Sequence, residues 1–279
     1  MSVEEARLDI AHAISKYVDN IELELRDRWN NMQIDLTKKH VNEVVCGILS
    51  RQVAILTNYA TSSNFWNGDM APIILRSLAD NYINLAWILR DPETRSKRFV
   101  LHGLGQEKLQ LEHRKNELRK QGIDPSNDQI VDSNEKWINA QRYTFWTEVN
   151  VGSWSEISTR QMAEEADCID FYNFVYQPFS TAIHSMWNHI SRYNLTYSEN
   201  PLHMFLLKPV VHRFDPEFEY LELGVKYLEK MFDLFDRTFE YTPSVRRSST
   251  ILAEELNKIE EALRKALLSE RGESNTQGN

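Results

Sequence analysis

Glycine and proline are scarce in this chain, nine and eight in 279 residues, about half of ordinary usage. A sandwich or barrel needs many tight turns, so the shortage excludes most all-β folds and favours long helices. Cysteine is nearly absent. Cys46 and Cys168 stand 122 positions apart with no C-x-x-C between them, which excludes a secreted disulfide scaffold and a structural zinc finger. No apolar run approaches the ~20 residues of a membrane span; the most apolar stretch is Ile83–Leu89. The opening Met1-Ser2-Val3-Glu4-Glu5 carries no basic start and no apolar core of a signal peptide, so a cytoplasmic protein without a membrane partner is expected. There is no G-x-x-x-x-G-K-[ST], no G-x-G-x-x-G and no G-x-S-x-G elbow. Internal repeats and period-2 strand patterns are also missing.

What is present is helical punctuation. Apolar residues at 42% and charged residues at 26% are ordinary globular values. Asp91-Pro92-Glu93 and Asp215-Pro216-Glu217 each set a capping acid before a proline at a first helical position. Ser158 and Gln161 have capping-box spacing, and Thr37 suits the start of a further helix. These signals predict helices near 3–30, 37–58, 71–90, 92–121, 158–167, 169–192, 216–240 and 249–270, with a short one near Asn134–Arg142. Gly122–Ser133 reads as a polar loop, Thr144–Ser158 as irregular and aromatic, and Asn194–Pro201 as a connector. The expected fold is all-α: a single helical bundle over 1–242, a C-terminal amphipathic helix over 243–271 and a disordered tail over 272–279.

Two helices stand out. In Ala71–Leu89 thirteen of nineteen residues are apolar, and the only charges, Arg76 and Asp80, are four apart on one face. A charge on a buried helix is costly unless it is paired or used. In the C-terminal helix Leu252, Leu256, Ile259, Leu263 and Leu267 form a narrow stripe, which suits either closure over the core or pairing with a second chain.

Downstream, Ser180 and His184 share a helical face. One reading makes His184 a core-edge histidine satisfied locally. The sharper one sets it beside Arg76 and Asp80, where imidazole, guanidinium and carboxylate could bind or cleave a phosphodiester without metal. His184 and His189 are five apart, about 140° around a helix, which does not present both to one ion; no metal site and no cofactor are implied. Between Arg95 and Lys120 eight basic residues face three acidic ones, a local +5 on a chain of net charge −9. Arg95, Arg98, Lys108, Arg114 and Lys115 are candidates for a phosphate-facing strip; the alternative is a solvated face paired with acidic neighbours. Trp137, Tyr143, Phe145, Trp146 and Trp154 crowd one region and suit a cap on the core better than base stacking.

The stretch ILRSLADNYINLAWILRDPETRSKRF (73–99), followed by YQPFSTAIHS (176–185), resembles a largely bacterial helical family, domain-of-unknown-function family 5677. The likeness covers roughly residues 45–205 and rests on R-x-x-x-[ED], matched by Arg76 and Asp80, and S-x-x-x-H, matched by Ser180 and His184. The acidic position in that pattern is more usually Glu, and Asp80 is shorter. The family label implies no activity. A looser, architectural likeness is to HEPN helical ribonucleases and toxins, which would imply RNA cleavage or a defence role. Those proteins carry R-x4–6-H on one helix; Arg95 and His102 match the spacing but lack the polar residue that follows the arginine there, Ser96 being a weak substitute. The favoured reading is a protein that handles RNA or a nucleotide, as a metal-independent ribonuclease of toxin or defence type, through Arg76, Asp80, Ser180 and His184; the alternative is a non-catalytic helical interaction module that self-associates, as a dimer.

Overall fold

Local capping chemistry sets three of the described helix starts. The Asp91 carboxylate accepts from the Thr94 N–H with Pro92 in the first turn, opening Pro92–Lys120 (α4). Ser158 and Gln161 close a reciprocal capping box at the head of Thr159–Glu165 (α6). The computed structural model describes residues 3–141 and 154–276, with side chains from 5 to 266 in those spans. Tyr143, Phe145, Trp146, the Leu267 side chain and residues 277–279 lie outside them. Besides α4 and α6, the helices are Val3–Asn31 (α1), Lys39–Ala60 (α2), Ala71–Ile88 (α3), Gln129–Ala140 (α5), Ile169–Phe171 (α7), Gln177–Ile183 (α8), Trp187–Tyr193 (α9), Phe218–Thr238 (α10) and Ser248–Thr276 (α11). The fold is all-α, and the strands seen among the described residues are Leu195–Tyr197 (β1) and Leu207–Pro209 (β2), an antiparallel ribbon pairing Thr196 with Lys208. No described helix is long and apolar enough to cross a membrane.

Three expectations shift for local reasons. The polar loop at 122–133 already contains the start of α5, because Asp128 caps Val131. Asp215 does not cap; α10 begins later, at Phe218, and the Glu217 N–H donates to the Trp66 carbonyl instead. The continuous helix expected over 169–192 is broken at His184–Met186. Ser185 adopts φ 47°, and the Met186 N–H donates to the Thr181 carbonyl at 2.9 Å, which closes the helix end as glycine ordinarily does.

The residues fall into two compact units: Met1–Gln33, Leu49–Tyr82 and Asp170–Asn279 form one, and Ile34–Ile48 with Ile83–Ile169 form the other. In the first, the buried stripes Ala13, Tyr17 and Ile21 on α1 and Leu221, Leu228, Met231, Phe232 and Phe235 on α10 follow the helical period. Gly224 on α10 is a spacing residue: a Cβ there would stand 2.8 Å from Leu56 Cδ1 of α2. In the second unit Leu111, Val131 and Ile138 join α4 to α5, and Trp154 packs edge-on against Trp87 and Phe99. That is the core-capping role expected of it, whereas Trp137 is exposed.

The C-terminal helix closes onto its own chain. The α11 start packs on α1, and Glu24 of α1, fully buried, accepts from both the Ser248 N–H (2.7 Å) and hydroxyl (2.6 Å). A carboxylate from another helix thus caps α11. Arg28, one turn on, grips both Asp236 oxygens at 2.8 Å, reaches Glu24 at 3.4 Å and lies 3.8 Å from the Phe232 ring centre. Leu252 is buried, while Leu256, Ile259 and Leu263 are half-buried. Replacing Arg28 by Met would leave two acids without their main counter-ion in the interior. We expect a loss of about 3–5 kcal/mol in unfolding free energy, read by urea denaturation of the full chain.

Candidate functional site

The site begins with two i,i+4 pairs on facing segments of the first unit. On α3, Arg76 and Asp80 lie on the one polar strip of an otherwise buried helix. On the other side α7 runs into α8 through a π-helical turn, Tyr172–Tyr176. Pro178 supplies the physical reason, since it has no N–H for the Phe174 carbonyl, and widening the turn lets the Gln177 N–H reach Tyr172. The detour brings the Tyr176 ring and the Ser180 hydroxyl opposite Arg76.

Arg76 is held on three sides. Its Nε–H donates to Ser180 Oγ at 2.8 Å, its Nη1 pairs with the Asp80 carboxylate, and its guanidinium lies 3.0 Å from the Tyr176 ring centre. Ser180 Oγ–H in turn donates to the Tyr176 carbonyl at 2.8 Å. Tyr176 also hydrogen-bonds Asp80, and its ring stacks on Tyr172 at 4.9 Å. The Arg76 side chain is only 9% exposed and Asp80 is 41%, so the cation is the enclosed partner and the acid the one that meets solvent. Desolvation lifts the Asp80 carboxyl above its usual range, against the opposing pull of Arg76 and Tyr176.

Among the residues expected in the site, Arg76, Asp80 and Ser180 therefore meet. His184 stands apart from this ring of contacts: it is exposed at the C-cap of α8, where its backbone N–H bonds Ser180, and its imidazole makes no hydrogen bond or ion pair with the described residues. The imidazoles the fold buries among the described residues include that of His189, bonded to Asp69 at 2.9 Å, and that of His40, 3.0 Å from the Glu93 carbonyl. Tyr176 was missed by sequence reasoning, although its position one turn before Ser180 was a usable signal. The basic strip lies in the second unit and is mostly spoken for. Arg95 binds Glu165 (2.8 Å) and covers Trp87, and Arg98 reaches Ser155 O and Glu156. Arg114 grips Asp128 with two hydrogen bonds, and Lys115 bridges Glu112 and Glu135. Lys108 alone of the five makes no ion pair with the described residues; it lines an open cleft of about 470 Å³ between α4 and α5.

The fold and site define an all-α protein with a cation clasped between two segments far apart in sequence. The chain belongs to the family of unknown function DUF5677, whose model matches residues 42–201 and so spans both halves of this cluster. No curated protein and no solved structure matches it.

Because its folded carboxyl is raised, Asp80 binds a proton more readily in the native than in the unfolded chain. Its linkage term therefore adds stability as pH falls through the window just above ordinary carboxylate values, and removes it as pH rises. Melting the wild type and Asp80→Asn from pH 7 to pH 4 should show the wild type gaining on the variant towards acid. A constant difference would contradict the raised carboxyl.

Proposed function

We propose that this protein is a non-catalytic helical interaction module that self-associates, in which Arg76, Asp80, Ser180 and Tyr176 are an internal staple. The observation that carries this reading is the commitment of Arg76. A guanidinium that must stabilise a transferring or leaving phosphate needs open donors aimed at the reacting atoms. Here two donors and the flat face are engaged by the protein's own groups, and the imidazole that would exchange a proton stands in solvent. Four of the five candidate phosphate ligands on α4 are likewise held by neighbouring acceptors, which favours the solvated-face reading over a nucleic-acid strip. The staple has a structural task instead. It fixes the π turn and α8 against α3, and α8 leads directly into α9 and the ribbon.

The competing reading, an RNA- or nucleotide-handling enzyme of toxin or defence type, gives opposite results in one experiment. Mixed RNAs incubated without metal should be cut equally, at background, by wild type and His184→Ala. Arg76→Met should at the same time lower stability by about 2 kcal/mol, through loss of hydrogen bonds to a charged group. RNA cleavage by wild type that disappears in His184→Ala would overturn the module and establish the enzyme.

A further inference from the structure

Large apolar side chains cluster on the surface in one stretch of the chain. Trp187, Tyr197, Leu202, Met204, Phe205 and Val211 are each at least two-thirds exposed, Leu202 reaching 90% and Val211 94%. Trp187 lies on α9 and Tyr197 on β1, which pack on each other as β1 does on β2, while Leu202, Met204 and Phe205 lie in the connection between the two strands and Val211 just past β2. Fully buried aromatic side chains remove about 150–250 Å² each. Six large apolar groups at this exposure leave on the order of 800 Å² open, about what each partner contributes to a stable interface. Monomers rarely show a contiguous patch beyond about 300–600 Å². Phe205 also holds φ 66°, a conformation that costs an aromatic residue energy, and its side chain is 82% exposed.

From this face we infer that a second copy of this chain docks on the ribbon and α9, a step that rests on the interaction-module reading. Three features select that occupant. Charge is sparse in this stretch: between Ile183 and Val211 the Lys, Arg, Asp and Glu side chains number three, Arg192, Glu199 and Lys208, and Lys208 pairs with Glu199 at 2.9 Å. Two copies of a chain of net charge −9 can approach there without like-charge repulsion, whereas an anionic membrane or RNA finds no basic cluster. The strands are three residues long, and a lone two-stranded ribbon is marginal in water. An outer edge, which no other strand among the described residues pairs, can be met by the same edge of a twofold-related copy, which makes a four-stranded sheet and a self-complementary contact.

The test is light scattering of the full chain from about 1 to 100 μM beside the double variant Leu202→Asp/Phe205→Asp. Both positions are exposed loop sites, and an unchanged circular dichroism spectrum verifies the fold. The expected result is twice 32.8 kDa for the wild type and 32.8 kDa for the variant, a weakening of about 100-fold or more from charging two central anchors. Disulfide capture of Tyr197→Cys as a covalent dimer would add support. A variant that stays dimeric overturns this surface while leaving self-association standing. A monomeric wild type across the range overturns both, and sedimentation of that monomer with lipid vesicles, lost in the variant, would assign the face to a membrane instead.

Discussion

A guanidinium on an otherwise apolar helix has to be neutralised and hydrogen-bonded from within the chain, and Arg76 meets that demand with groups from two segments 104 positions apart. Asp80 supplies the charge, Ser180 the acceptor and Tyr176 the π face. Removing water from a cation is expensive, and only a geometry that satisfies charge and donors together offsets it. The π turn ahead of Pro178 exists inside this constraint: it carries the chain past a missing N–H and at the same time turns Tyr176 onto Arg76. The seating of α8 against α3 follows from that clasp.

A second buried ionic network plays the same part elsewhere in the first unit. Glu24 caps α11 across a separation of 224 residues, and Arg28 ties α1 to Asp236 on α10. Lys16 and Glu255 extend the contact at 3.2 Å. The start of the heptad-like stripe of α11 is thereby turned inwards, with Leu252 buried and Leu256, Ile259 and Leu263 half-buried. Strongly exposed apolar side chains gather in another stretch, from α9 through the ribbon and its connection.

The two networks bear on function through what they leave free. Cations that are enclosed and paired, like Arg76 and Arg28, hold architecture. Those of α4 are more exposed, but Arg95, Arg98, Arg114 and Lys115 have acidic neighbours within the same unit. A chain of net negative charge concentrates its positive residues where acids meet them, and a basic run in sequence then has little field left to offer an outside polyanion.

Helix content, the positions of α1 to α4 and α6 within a few residues, the burial of α3 and the pairing of Arg76 with Asp80 follow from the sequence by itself. All of these rest on interactions over three or four residues: capping boxes, Asp-Pro starts and apolar periodicity. Only the tertiary structure decided that Tyr176 joins the Arg76 cluster, that His184 faces solvent while His189 is buried against Asp69, that Ser185 breaks the helix, and that Glu24 caps α11. Each of these depends on which distant segment supplies a partner or which side of a helix the core covers. Periodicity along one helix carries no information about what stands opposite it, so the meeting of remote polar groups is settled only when desolvation forces each to find its counterpart.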